Sequence, residues 1–395
     1  MPFFYFVRSF ALMTSASTAL SSPRAARTSV IGGLWWLALL GLVAFCYWPG
    51  LHGGFVFDDD VNILRNESLR ISTLDPADLW AAAWSGHAGP LGRPVAQLSF
   101  ALDYYVGGPS PFQFKLVNLL IHLGNTLLVA ALPQRLCRAL GQQGTTVEHS
   151  LAVKNWAGWI VAALWAVHPL NLTGVLYVVQ RMTSLSTLFG LTALLLFAWY
   201  RDRTAFRQQL RRPLWTGTWV ALTLLACLAL SALSKETGLL FGPLLLWIEF
   251  WVYCFHFDGK PARVVGLDLR RSTFGLVALV VVYVALFKLP QMLAPSAFAN
   301  RDFTLVERGL TEARVLLFYL RMFLLPRNAE LSLYHDDFRI SHSLWDPPST
   351  VLSVGVLAAV TAGAWLLRKR FPELPFAWGW FLIAHILEST VFPLE

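Results

Sequence analysis

The stretch Phe55–Arg70, FVFDDDVNILRNESLR, sets three consecutive carboxylates, Asp58, Asp59 and Asp60, just after a long apolar segment, Ile31–Trp48. Aromatic residues flank the three on one side and branched apolar residues on the other. Like charges this close repel one another, and they do so more strongly beside a low-dielectric medium. Such a cluster gains from a cation or a positively charged ligand, which marks it as a candidate site. A solvated acidic turn closing a helix is the plainer reading of the same residues. The surrounding chain decides between the two.

Working outward, hydrophobic residues make up 56% of the 395 and charged residues only 14%, whereas a soluble domain carries roughly a quarter charged. This composition describes an all-α polytopic membrane protein. The net charge of +8 does not indicate a nucleic-acid partner, because Lys and Arg gather in short loops between apolar segments. Cys46, Cys137, Cys227 and Cys254 lie in or at the edge of apolar segments, with neither a zinc spacing nor a disulfide framework. The aromatic N-terminus is interrupted by Arg8, and no clear small-residue cleavage site precedes Ile31. Residues 1–30 therefore read as a cytoplasmic tail before an uncleaved first span.

A span needs about 20 apolar residues. Segments of that kind fall at 31–48, 112–132, 156–172, 184–200, 214–233, 237–256, 272–290, 350–367 and 375–392. A shorter apolar run, Val315–Pro326, carries Arg321 and follows Arg314, which suits an interfacial or re-entrant segment. With the N-terminus cytoplasmic, the inner segments hold 18 of the 31 Lys and Arg but only 6 of the 23 carboxylates, counted from the full sequence. The strongest single vote is RDRTAFRQQLRR at 201–212. The large polar regions, 49–111 and 291–349, then share the outer face. The first predicts two short amphipathic helices, each with proline at its start, Pro76 and Pro94.

That outer face gathers ionisable residues at span ends: Asp58, Asp59, Arg93, His168, Arg181, Lys235, Glu236, His335, Asp336, Asp337 and Glu388. Each has an ordinary explanation, such as snorkelling, capping or a neighbouring ion pair. Together they offer cations to hold a lipid-linked phosphate and a carboxylate to deprotonate an acceptor hydroxyl or hold a metal. Deeper in the second span, Asn118, His122 and Asn125 share one helical face and read as interhelical hydrogen-bonding residues.

In order along the chain, FVFDDDVNILRN, RPVAQLSFALDYY, FKLVNLLIHLGNTLL, HPLNLTGVLYVVQRMTSLS and LSKETGLLFGPLLLWIE resemble the membrane half of GT-C glycosyltransferases. The nearest resemblance is to the transmembrane-and-TPR O-mannosyltransferase-like proteins and their bacterial relatives, from about Phe55 onward. The segment from LTEAR to YHDDF, followed by DPPST, resembles the bacterial branch. The resemblance implies a bundle of about 9–11 transmembrane helices, a polyprenyl-phosphate sugar donor and a protein or glycan acceptor. It implies a catalytic role for Asp58 and Asp59, and donor-phosphate binding for Arg93, Arg181 and Lys235. A divalent cation, Mg or Mn on Asp58 and Asp59, is open, since the superfamily has metal-dependent and metal-independent members.

Two departures stand out. Lys115 occupies a position where relatives often carry His, and the chain stops at ESTVFPLE, where relatives continue with a Glu-His-Arg type motif and further spans. The expected function is a glycosyltransferase acting at the outer face of a bacterial plasma membrane. The rival expectations are a flippase for lipid-linked sugar and a truncated, non-catalytic assembly protein.

Overall fold

A computed structural model describes residues 23–142, 151–207, 215–257, 260–261, 263–264, 267–288, 290, 302–332 and 338–389. In chain order its helices are α1 (Pro23–Tyr47), α2 (Pro76–Ala83), α3 (Pro94–Gly107), α4 (Pro111–Gln142), α5 (Leu151–Ala166), α6 (Leu172–Leu176) and α7 (Arg181–Arg207). Then come α8 (Trp215–Ser234), α9 (Phe241–Ile248), α10 (Leu269–Tyr283), α11 (Leu305–Leu324), α12 (Ser349–Leu366) and α13 (Glu373–His385). Four two-residue strands between α9 and α10 pair as two small antiparallel ladders, His256–Phe257 with Lys260–Pro261 and Arg263–Val264 with Leu267–Asp268. The chain divides into two compact units: one ends at Pro49 and holds α1, and the other begins at Gly50 and holds every residue of the candidate site.

Among the described residues five helices are long and apolar enough to cross a membrane: Gly33–His52, Pro111–Cys137, Val178–Asp202, Arg270–Phe287 and Ser349–Leu366. The pair Gly158–Ala166 and Pro169–Leu176, bent by 57°, offers a sixth. This is an all-α polytopic integral membrane protein, with five or six such spans among the described residues. The expected span at 237–256 is a continuous helical run that changes type, from a 3-10 turn (Glu236–Leu240) through the eight-residue α9 to a π turn (Glu249–Tyr253). Its start is a tight turn in which Gly238 lies against the backbone of Ser231, where any side chain would collide. Its end is fixed by Cys254 and Phe255, both left-handed at φ 50° and 56°. The expected span at 214–233 coincides with α8, Trp215–Ser234, and α13 stops at His385.

The two outer-loop helices form where the sequence places them, α2 and α3, each with proline in the first turn. Proline lacks the N–H that would be unsatisfied there anyway, and its φ suits the helix. Within the membrane, α4 lies against α5 and α7, and α7 against α8. One buried cluster joins Leu128, Leu132 and Leu136 of α4 to Leu191, Leu194 and Ala198 of α7 and to Leu244 and Ile248 of α9. These residues recur at three- and four-residue spacing, which puts them on one face of each helix.

In lipid, where water offers no alternative partner, polar side chains join helices through hydrogen bonds. The face Asn118–His122–Asn125 does this. Asn118 Nδ2 donates to the carbonyls of Val175 and Val178 at 3.2 and 3.3 Å. Asn125 Nδ2 donates to Ser184 O at 3.0 Å. The His122 ring lies 2.9 Å by Nε2 from Ala166 O and stacks on Trp165. Asn118 and Asn125 bind at or beside the break between α6 and α7, the segment on which the candidate site hangs, and His122 binds the end of α5.

Candidate functional site

The acidic turn is built by Asp59 and presents Asp58. Phe57 has φ 46°, a left-handed conformation uncommon for a bulky residue that persists only where the surroundings impose it. Here Asp59 imposes it. The side chain is fully buried, Oδ2 accepts the Val56 N–H at 3.0 Å, and Oδ1 accepts the Val179 N–H at 2.7 Å. Burial raises the Asp59 carboxyl above its ordinary range, opposed by the amide bonds and by the Lys115 ammonium. Lys115 in turn donates to the carbonyls of Gly53 and Gly54, each at 2.9 Å. Asp58 points to solvent. Its N–H donates to the Tyr177 hydroxyl at 3.1 Å, and its carbonyl accepts from Asn62 Nδ2 at 3.0 Å. Asp60 pairs with Arg65 and opens a π turn, Asp60–Leu64. Of the three carboxylates, therefore, one is structural, one is paired at the surface and one is held out exposed.

A second group forms around Arg93, Glu236 and Lys235. Arg93 is left-handed at φ 53°. It meets the Glu236 carboxylate with Nε at 3.1 Å and Nη2 at 3.0 Å, and Nη1 lies 3.2 Å from Met182 Sδ. Gly89 fits against this pair with φ +73°, and a Cβ there would strike the Glu236 carboxylate. Lys235 Nζ donates to Thr183 Oγ1 at 3.1 Å, and Thr183 donates to Gln180 Oε1 at 2.8 Å. Burial lowers the Lys235 ammonium, while the Glu388 charge raises it. The structure thus brings Arg93, Lys235 and Glu236 together, with Glu388 within electrostatic reach.

Arg181 does not join them. It is fully buried, and its guanidinium is consumed by protein partners: Asn118 Oδ1 at 2.7 Å, Phe114 O at 2.7 Å, Ser99 O at 3.2 Å and the Asp103 carboxylate at 2.5 Å. The rings of Phe100 and Phe114 close over it at 4.8 and 5.4 Å. This geometry corrects its expected role as a phosphate ligand, because no face of the guanidinium remains for one. His168 is likewise held in place. Nδ1 accepts the Leu170 N–H at 3.2 Å, which assigns the proton to Nε2, and Nε2 then donates to Phe323 O at 3.0 Å. That bond ties the α5–α6 bend to the end of α11. His335, Asp336 and Asp337 lie outside the described residues. Glu388 is exposed, and its carbonyl accepts from Arg308 Nη2 at 3.0 Å.

One short segment, Tyr177–Thr183, connects everything. Tyr177 meets Asp58, Val179 meets Asp59, Met182 meets Arg93, and Thr183 meets Lys235. The acidic turn and the basic group therefore hang on opposite ends of one seven-residue track, whose six Cα–Cα steps span at most about 20 Å. The track is seated in a buried cluster with Ile63, Leu69, Phe100 and Phe114. Sequence reasoning missed Tyr177, Thr183, Gln180 and Asp103. The available signal was YVVQRMTS itself, an extended-looking interruption between two apolar helices.

Among the described residues no group of three or more His, Cys, Asp or Glu could hold a metal ion. Asp59 is committed to backbone amides, which leaves Asp58 alone at the turn.

No family model and no solved structure matches the chain. Curated proteins do match. Protein O-mannosyl-transferase TMTC4 of Homo sapiens is 32% identical over 220 residues, 54% of this chain and 29% of that protein. Protein O-mannosyl-transferase TMTC3 of Homo sapiens is 30% identical over 206 residues, 51% of this chain and 20% of that protein. A protein O-mannosyl-transferase of Caenorhabditis elegans is 25% identical over 297 residues, 74% of this chain and 38% of that protein. The chain spans between a fifth and two fifths of the length of these three relatives. Over half or more of its own length, this membrane protein is similar in sequence to proteins named protein O-mannosyl-transferases.

Proposed function

We propose that the chain is a glycosyltransferase that moves a sugar, mannose by analogy with its relatives' names, from a polyprenyl-phosphate donor to a hydroxyl of a protein or glycan acceptor. The observation that carries this reading is the exposed Asp58, fixed on the same Tyr177–Thr183 track that carries Lys235 and Arg93. In this scheme the Asp58 carboxylate takes the acceptor hydroxyl proton. The acceptor oxygen bonds to the anomeric carbon while the bond from that carbon to the phosphate oxygen breaks. The leaving phosphate keeps the electron pair. Lys235 carries three donors, and its one hydrogen bond among the described residues goes to a neutral hydroxyl, so it is available to stabilise that phosphate as charge develops. Arg93 is oriented by Glu236 and lends its remaining charge from the side. A metal has no step in this scheme.

The charge asymmetry of the loops supports a cytoplasmic N-terminus and an extracytoplasmic active face. The resemblance to the bacterial branch makes the plasma membrane of a bacterium the proposed location. The test compares mass spectra of envelope proteins and glycans from cells lacking the gene, cells with it restored, and cells restored with Asp58→Asn. A hexose increment that only the native gene restores supports the proposal. Restoration by the variant removes Asp58 from the chemistry. Movement of lipid-linked sugar across sealed vesicles without release of the sugar would instead indicate a flippase.

A further inference from the structure

We propose that Gln180 is a specificity residue that donates a hydrogen bond from its side-chain amide to a hydroxyl of the transferred sugar; this rests on the reading of the chain as a glycosyltransferase. Along the Tyr177–Thr183 track, Tyr177, Val178, Val179, Arg181 and Met182 are all buried. Gln180 and Thr183 are the two that keep accessible surface. Gln180 stands one turn from each end of the track. Its N–H donates to Tyr177 O at 3.1 Å, and its side chain meets Thr183. It thus falls between the residue that meets the Asp58 turn and the residue that meets Lys235. A sugar whose phosphate meets Lys235 and whose acceptor meets Asp58 must span that interval.

The direction of the amide follows from hydrogen-bond polarity. A lysine ammonium only donates, so Thr183 Oγ1 is the acceptor in its 3.1 Å contact with Lys235 Nζ. The Thr183 hydroxyl has one proton, and it goes to Gln180 Oε1 at 2.8 Å. The carbonyl end of the amide is therefore turned toward Thr183 and the NH2 end away from it. Among the described residues no hydrogen bond holds Gln180 Nε2. Two neutral N–H donors thus stand on the accessible face of the track, oriented through Thr183 by the lysine assigned to the phosphate. Neutral donors suit a sugar hydroxyl, which accepts through either lone pair. The phosphate is better served by the charged donors of Lys235 and Arg93.

The test is transfer by the full chain in nanodiscs from synthetic polyprenyl-phosphate mannose, and from monodeoxy analogues that each lack a different hydroxyl, to a serine- and threonine-rich peptide. Gln180→Leu removes the donors, and Gln180→Glu keeps the shape but puts oxygen where the donors were. Gln180→Leu should lower kcat/KM for the mannosyl donor on the order of 3- to 10-fold, the worth of one neutral hydrogen bond, and Gln180→Glu at least as far. With one monodeoxy donor the native chain should lose the same factor. There the Gln180→Leu penalty should vanish, while it persists with the others. Each variant is compared with itself across donors, so a smaller folded fraction cancels. Sugar-free polyprenyl phosphate should inhibit Gln180→Leu with its native Ki. Native kcat/KM in both variants, or a penalty equal across all donors, overturns the inference. A Ki raised by the same factor also overturns it, by assigning Gln180 to the phosphate. If the native chain transfers nothing from any donor, the reading beneath falls and takes the inference with it.

Discussion

Replacing Arg181 by Met leaves a buried carboxylate without its partner. In the native chain the guanidinium neutralises Asp103 and feeds three further acceptors, Asn118 Oδ1, Ser99 O and Phe114 O. Methionine fills much of the same volume between Phe100 and Phe114 but donates nothing. Burial already pushes the Asp103 carboxyl upward with Arg181 opposing it, so the variant must protonate Asp103, admit water or unfold locally. Breaking a buried pair from one side costs about 3–5 kcal/mol, which lowers the thermal midpoint by roughly 5–10 °C. Replacing both members by apolar residues is often close to neutral, so Arg181→Met/Asp103→Leu should recover most of the loss. The assay is thermal unfolding in detergent by intrinsic fluorescence, with donor KM measured on the surviving enzyme. A single variant as stable as the native chain, with donor KM raised tenfold or more, would return Arg181 to the phosphate site and refute the reasoning.

Gly89→Ala should drive the Arg93–Glu236 pair apart, since the position is left-handed and its Cβ meets the Glu236 carboxylate. Donor KM should rise several-fold, with about 1 kcal/mol lost in thermal stability; unchanged KM counts against a donor-side role for the pair. Lys235→Met should leave the thermal midpoint within about 2 °C and reduce transfer at least tenfold in kcat/KM, read with the same peptide; full transfer removes Lys235 from the phosphate. On α11, hydrogen bonding from His342 and from the Thr304 cap lowers the Glu307 carboxyl from an ordinary 4.5 to about 2. A depressed folded value gives stability that is present above the ordinary range and is lost as pH falls through about 2. Hydrogen exchange of the first turn of α11 should therefore stay slow at pH 4, and fast exchange there would contradict the capping geometry.

Particular residues show what the sequence could and could not reveal. Helix starts at Pro76 and Pro94 were legible because proline acts locally, and the Asn118–His122–Asn125 face was legible because helical periodicity places it. The resemblance to O-mannosyltransferase-like proteins was legible in the order of the segments, and the matches to curated relatives agree with it. The division of labour among Asp58, Asp59 and Asp60 was not legible. Adjacent carboxylates look alike in a string, and only the fold decides which meets the Val56 and Val179 amides. Arg181 misled for a similar reason, since its partner Asp103 lies on a helix 78 positions earlier in the chain. In the segment 237–256, hydropathy is blind to the close approach at Gly238 and to the reversal at Cys254 that ends the helical run.

The central claim is that Asp58, held out by a turn that Asp59 builds, performs the proton transfer. Its most direct measurement is single-turnover mannose transfer by purified native chain and by Asp58→Asn, with folding checked by size-exclusion chromatography and thermal midpoint. The account predicts a variant that folds and binds donor lipid as the native chain does and transfers at least a thousandfold more slowly, on the scale of a lost general base. A well-folded Asp58→Asn chain that transfers mannose within tenfold of the native rate would contradict it.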